Sequence, residues 1–284
     1  MTTLRADIQL RLSPVMGESE ARAVTLLLLS ELFNITTVDI LTGDYERKIS
    51  GEDKNRLEQA VRRLENHEPV QYVIGHAAFS GLSFDVNPNV LIPRPETEEL
   101  VSIITSNLHH LSNLSVLDIG TGSGCIAISL SKQLKDSQVE GWDISSLALE
   151  VATANAKKND ARVLFRKMDI LDSSTLDCIS RKYDVIVSNP PYICQSEAKQ
   201  MDSNVLEHEP HKALFVPDDQ PLLFYEAIAR FASTKLNQGG HIYLEINRRF
   251  PRQTESLLSS CGFTEISTLT DQFGNPRFVT AVKG

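Results

Sequence analysis

The chain reads as an α/β protein built around a mostly parallel sheet, with a small helical domain in front of it. Three observations predict this. From Leu100 onward, short apolar runs alternate with helical patterns, which argues for parallel strands covered on both faces. The last two strand-like runs are too close together for a crossover helix, so they must pair antiparallel. Residues 6–66 carry helical patterns and no strand alternation.

The elements follow in order. Residues 18–33 place Ala23, Leu26, Leu27 and Leu29 beside a charged flank, and residues 52–65 place Leu57, Ala60, Val61 and Leu64 at helical intervals. Thr and Gly breakers in 34–44 predict another short helix with turns. Residues 1–68 are therefore expected to form the helical domain. Tyr72-Val73-Ile74-Gly75, Ala78-Phe79-Ser80-Gly81 and Leu82-Ser83-Phe84-Asp85-Val86 look like short strands joined by Gly turns, a linker hairpin within 69–93. In the remaining domain, 94–284, strands are predicted at 115–119, 139–143, 162–167, 183–188 and 241–246. Helices are expected at about 123–134, 147–158 and 222–236. Strands at 263–269 and 278–282 close the chain around the turn residues 271–276.

Composition narrows the function. The formal net charge of -9 carries no global basic footprint for nucleic acid. The N-terminus lacks the basic start, apolar run and small-residue cleavage site of a secretory signal, and the longest apolar run, around Ala23 to Leu29, is too short to span a bilayer. The four cysteines, Cys125, Cys178, Cys194 and Cys261, show no paired metal-ligand spacing. His208 and His211 flank Glu209-Pro210 without cysteine partners, and are read as loop residues rather than ligands. The expectation is a cytoplasmic, reduced, metal-free protein with no membrane segment.

Two motifs carry the chemistry. Asp118-Ile119-Gly120-Thr121-Gly122-Ser123-Gly124 lies between a predicted strand and helix, where glycines admit a ligand close to main-chain N–H groups. Its G-x-G-x-G spacing differs from the G-x-G-x-x-G of dinucleotide folds, so it suits a ligand without a diphosphate, such as S-adenosylmethionine. Asp143, ending the second strand, can accept both ribose hydroxyls, although it or Ser145 also suits a helix N-cap. Asp169 can accept from an adenine amino group with Ile170 packed on the ring; a plain turn aspartate is the competing reading. Thr97 and the acids of Pro93-Arg94-Pro95-Glu96-Thr97-Glu98 suit the start of a helix.

The second motif, Asn189-Pro190-Pro191-Tyr192, follows the fourth strand at the edge where open α/β sheets bind ligands. The prolines stiffen the turn and remove two donors. The Asn189 amide oxygen and the Pro190 carbonyl can then accept both hydrogens of an NH₂ group, with Tyr192 as a ring wall and hydroxyl. Such acceptors hold a poorly nucleophilic nitrogen with its lone pair aimed at a methyl donor and favour the charge developing on it. No strong general base is required. Glutamine, adenine and cytosine all present a suitable planar NH₂.

Together these residues resemble the PrmC/HemK family of peptide chain release factor glutamine methyltransferases over nearly the full length. The resemblance rests on Val90-Leu91-Ile92-Pro93-Arg94-Pro95-Glu96-Thr97-Glu98, Leu117 to Gly124, Asp143-Ile144-Ser145, Asn189-Pro190-Pro191-Tyr192-Ile193, and Glu209-Pro210 with Ala213-Leu214. It implies a seven-stranded Rossmann-like methyltransferase sheet with its last strand antiparallel, and a helical N-domain that helps bind a release factor. It implies cofactor contacts from Gly120, Thr121, Gly122, Ser123, Gly124, Asp143, Asp169, Ile170 and Asn189. Asn189, Pro190, Pro191 and Tyr192 would hold the glutamine of a Gly-Gly-Gln tripeptide, with Asn189, Pro190 and Tyr192 as the catalytic set. The expected partner is a release factor met by a monomer without direct nucleic-acid contact. A ribosomal-protein glutamine, or an exocyclic amino group of nucleic acid, is the alternative target. The chain departs from the family at 216–222, which lacks the usual Gly-rich path, and at Asn247-Arg248-Arg249-Phe250, where Gly follows Glu-Ile in relatives. Neither departure is expected to touch the chemistry.

Overall fold

The computed structural model describes residues 3–43, 45 and 49–284. They divide into two compact units, residues 3–76 with 201–208, and residues 77–200 with 209–284.

The first unit is helical, as its periodicity predicts. It contains α1 (Leu4–Met16), α2 (Glu18–Phe33), α3 (Thr37–Thr42), α4 (Gly51–Glu65) and α5 (Val70–Ile74). In α4, Leu57, Ala60, Val61 and Leu64 fall on one face and are all buried, joining Ile8, Leu12, Leu28 and Leu29 in a common core. A reciprocal capping box of Ser50 with Asp53 starts this helix, satisfying two backbone donors that have no partner inside it. Arg11 of α1 clamps α4 through Glu58 at 2.7 Å and Glu65 at 2.8 Å. Residues 72–75, read from the sequence as a strand, are instead the end of α5 and its Gly75 cap. The five-residue helix follows its N-cap Pro69 and buries Tyr72 and Val73. A β-branched apolar run this short fits either element, and packing decides.

The second unit begins with a hairpin, β1 (His76–Phe79) and β2 (Leu82–Asp85), then runs through α6 (Pro95–Leu108), β3 (Ser115–Ile119), α7 (Cys125–Gln133), β4 (Gln138–Asp143), α8 (Ser146–Lys158), β5 (Val163–Lys167), α9 (Ser173–Asp177), β6 (Tyr183–Ser188) and β7 (Ile193–Cys194). After α10 (Ser203–His208), which belongs to the first unit, come α11 (His211–Leu214), β8 (Phe215–Val216), α12 (Leu223–Lys235), β9 (Leu236–Glu245), α13 (Pro251–Ser260), β10 (Phe263–Thr270) and β11 (Pro276–Lys283). The seven-stranded sheet has the order β10-β11-β9-β6-β3-β4-β5. Neighbours from β9 to β5 are parallel, and β11 runs antiparallel to both β9 and β10, as the short closing connection requires.

Both faces of the sheet are covered. Val116 of β3 packs with Leu100, Ile104 and Ile128 of α6 and α7, while Leu117 and Ile119 pack with Ile228 and Ala232 of α12. That is the period of two of a doubly buried strand. The hairpin, read from the sequence as a bridge, places Phe79 and Phe84 in the same core as α6, their rings edge-on at 5.9 Å. Trp142, the only tryptophan, meets Tyr183 and Phe231 edge-on beneath α12.

Gly141 marks the tightest packing between β4 and its surroundings. A Cβ there would lie 2.7 Å from the Phe165 ring and 2.8 Å from the Thr121 hydroxyl. Gly141→Ala is expected to destabilise this unit by about 1–3 kcal/mol, lowering the urea midpoint followed by Trp142 fluorescence.

Candidate active site

The two motifs meet because β3 lies between β4 and β6. Ile119 pairs with Trp142 on one side and Ser188 on the other, so the loops leaving these strands open at one edge. The N–H groups of Gly120 and Thr121 both donate to the Trp142 carbonyl at 2.8 and 2.9 Å, and the Ser188 hydroxyl donates to the Ile119 carbonyl at 2.6 Å. A Cβ on Gly120 would stand 4.0 Å from the Asn189 carbonyl oxygen. The glycine loop and the Asn-Pro-Pro-Tyr turn are therefore adjacent.

The loop is held from below. Gly124 adopts φ +83°, where a side chain is strained, and a Cβ there would lie 2.9 Å from Ile128. Asp143 accepts from the Gly122 N–H and the Ser145 N–H, both at 2.9 Å. Burial raises its pKa above the ordinary carboxylate value. Ser145, not Asp143, caps α8 by accepting from the Ala148 N–H. Asp169 sits in a turn after β5 and accepts from the Leu171 N–H at 2.9 Å, the turn geometry weighed from the sequence. Ile170 packs against the core on the Trp142 face.

Sequence reasoning passed over several groups that the fold brings here. Asp118 is buried at the end of β3. One carboxylate oxygen accepts from the Thr121 hydroxyl at 2.6 Å and the Ala127 N–H at 3.3 Å, and the other has no partner. Burial pushes its carboxyl up to about 7. Asn155 of α8 is also buried. It accepts from the Asp85 N–H and donates to the carbonyls of Asp85 and Ser123, tying the hairpin to the glycine loop. The Asn155 contacts carry no local sequence signal, since the partners lie on different elements; the Asp118–Thr121 bond lies within the glycine motif itself.

A second set surrounds Asn189. Its Nδ2 donates to the Thr97 hydroxyl at 3.0 Å, and Thr97 donates to Glu245 Oε2 at 2.7 Å. The Tyr192 hydroxyl donates to Glu245 Oε1 at 3.1 Å. Tyr192 is half-buried, and burial with the Glu245 charge raises its phenol well above the usual value, so it stays protonated. Its ring packs against the core on the Trp142 face. Burial pushes Glu245 up to about 7, opposed by the bonds from Thr97 and Tyr192.

The divergent segments contribute after all. Asn247 donates to the Tyr192 carbonyl at 3.0 Å and to Glu197 at 2.9 Å. Asn247 thereby braces the backbone of Tyr192. Val216 of β8 pairs with Cys194 just beyond the motif, and Asp218 accepts from Ser196, so 216–222 is anchored to its exit. Glu209 is buried and accepts from the Ile92 N–H and the Arg94 guanidinium, joining the Pro-Arg-Pro and Glu-Pro segments. Among the described residues no cluster of three His, Cys, Asp or Glu side chains could hold a metal ion. No helix among them is long and apolar enough to cross a membrane.

A glycine loop at the carboxyl edge of a sheet closed by one antiparallel strand, beside Asn-Pro-Pro-Tyr, defines a methyltransferase. Residues 96–214 match the family described as Methyltransferase small domain, and residues 4–75 match the PrmC N-terminal domain. The release factor glutamine methyltransferase of Bacteroides thetaiotaomicron is 40% identical over 281 residues, covering 99% of each chain. That of Flavobacterium psychrophilum is 40% identical, covering 94% of each. A 16S rRNA methyltransferase structure from T. thermophilus shares the fold, with a TM-score of 0.53 and 17% identity, over 74% of this chain and 50% of that one. The chain belongs to the release factor glutamine methyltransferase family.

S-adenosylmethionine fits the residues present. The unpartnered, buried oxygen of Asp118 is an acceptor of the kind its ammonium group needs, and Gly120 leaves room for close approach. Asp143→Ala removes a charged acceptor at the proposed ribose position. The expected result is about 10- to 100-fold weaker cofactor binding by calorimetry, from a hydrogen bond to a charged group of roughly 1.5–3 kcal/mol. Unchanged affinity would take Asp143 out of the site.

Proposed function

We infer that this methyltransferase uses S-adenosylmethionine to methylate the side-chain amide nitrogen of the glutamine in the Gly-Gly-Gln tripeptide of a peptide chain release factor. One observation carries the reading: Gly120 and the Asn189 carbonyl lie side by side just beyond the ends of neighbouring strands, so a methyl donor over the loop is within reach of an amide held by the turn. The relatives' shared name supports the substrate.

When bound, the cofactor supplies a sulfonium methyl, an electrophile. The protein's part is positioning. The Asn189 side-chain oxygen and the Pro190 carbonyl accept the two amide hydrogens, fix the plane of the NH₂ group and favour positive charge on nitrogen as it is attacked. Pro191 keeps the turn rigid, and the Tyr192 ring bounds the slot. The proton lost from nitrogen leaves to water, because Glu245 is buried with both oxygens bonded to Thr97 and Tyr192. Gly120, Thr121, Gly122, Ser123 and Gly124 bind the methionine part of the cofactor, Asp143 the ribose, and Asp169 with Ile170 the adenine.

The helical domain, 1–68, helps grip the release factor, a role supported by the match of residues 4–75. A monomer in the cytoplasm is the expected form, and the net charge of -9 disfavours a nucleic-acid target. Incubation with labelled cofactor and release factor, ribosomal proteins or DNA tests the substrate. Label is expected on the release-factor glutamine, and label on DNA alone would overturn the reading. Asn189→Ala should lower kcat by about 100- to 1,000-fold, the size seen when one preorganised polar group is removed from a transition state.

A further inference from the structure

We propose that Glu245, acting through the Thr97 hydroxyl, is a positioning residue that sets which way round the Asn189 amide faces the substrate. The inference rests on the role given above to Asn189.

An ionised carboxylate can only accept. Both Glu245 oxygens are occupied by hydroxyl donors, Thr97 at 2.7 Å and Tyr192 at 3.1 Å. A threonine hydroxyl has a single proton, so once Thr97 has donated it to Glu245, it can only accept from its other neighbours. The neighbour 3.0 Å away is the Asn189 side chain, which must then turn its NH₂ toward Thr97. The amide oxygen is left facing the other way, as the acceptor a glutamine NH₂ requires. A flipped Asn189 would set oxygen against the Thr97 lone pairs and NH₂ against the substrate's own NH₂. Thr97 and Glu245 are both buried, so water does not relieve that mismatch.

The three segments are far apart in sequence, at the start of α6, after β6 and at the end of β9, yet they form one continuous chain of donors. The arrangement depends on the charge of Glu245. If its carboxyl is protonated, it can donate to Thr97, whose hydroxyl is then free to donate to Asn189 and stabilise the flipped amide. The groups that face this carboxylate are Thr97 and Glu96 of α6, Tyr192 of the turn and Arg277 of β11, which also bonds Asp271. Tyr225 of α12 donates to the Glu245 backbone carbonyl at 3.3 Å, and the Cys125 thiol of α7 is pushed up to about 12 by burial, with a smaller push from Glu245. Burial holds the carboxyl near 7 against the pull of Thr97, Tyr192 and Arg277, so its charge is lost as pH falls through about 7.

The test uses the full-length chain with a release factor substrate and saturating cofactor, which removes the contribution of Asp118 to cofactor binding. Thr97→Val, with no donor or acceptor, should lower kcat about 10- to 100-fold while cofactor affinity stays within about threefold. Thr97→Ser, which keeps the hydroxyl, should restore most of the rate. In the wild type kcat should fall on the acid side of about pH 7, and in Glu245→Gln this limb should vanish from an already lowered profile. Wild-type kcat in Thr97→Val, equal damage in Thr97→Ser, or an acid limb that persists in Glu245→Gln would overturn the proposal. Should Thr97→Val fail to fold by circular dichroism, the pH profile of Glu245→Gln decides alone. If Asn189→Ala is inactive while Thr97→Val is fully active, only the positioning role falls. If the wild type labels no glutamine, the reading of the function falls, and this inference with it.

Discussion

The parallel pairing of β3 between β4 and β6 is the constraint on which the site depends. Register brings the ends of three strands to one edge, and the side chains beyond those ends inherit their positions. Gly120 follows β3, Asp143 ends β4 and Asn189 follows β6. The same pairing spends the Trp142 carbonyl on the loop's N–H groups, which leaves Gly122 to be held by Asp143. Because β9 continues the parallel set beside β6, Glu245 arrives next to Asn189. A one-residue slip in any of these ladders would turn every side chain of that strand to the opposite face.

The site also collects buried carboxylates, which are costly unless bonded. Asp118, Glu209 and Glu245 are all buried, and each is treated differently. Glu209 has a guanidinium and a backbone donor, and serves to join two distant segments. Glu245 is satisfied by two hydroxyls, which gives their protons a fixed direction. Asp118 keeps one oxygen without a partner in the described residues, at the edge where a cationic ligand would lie. Glu209 and Glu245 have both oxygens bonded, whereas Asp118, beside the glycine loop, does not.

The departures from the family pattern act as supports for the turn. Asn247 adds a side-chain donor to the Tyr192 carbonyl. Residues 215–216 form a short parallel pair with 193–194, so the segment without glycines is anchored beside the motif. A rigid slot suits a reaction whose catalysis is mainly positioning, since misplacement of the amide lowers the rate directly.

What the sequence determined by itself is local and periodic. The apolar strand runs, the helical intervals of 18–33 and 52–65, the antiparallel close and the two motifs each depend on neighbours within a few residues, so they were legible. Only the tertiary structure decided the rest. Residues 72–75 were read as a strand because a short apolar run suits helix or strand, and the core around Val73 selected helix. Asn155, Thr97 and Glu245 gave no signal as a set, because their partners lie on other elements up to 148 residues away. Asn189 was visible as a candidate amide acceptor. The direction its oxygen faces depends on a threonine hydroxyl and a buried carboxylate that meet it only after the sheet has formed.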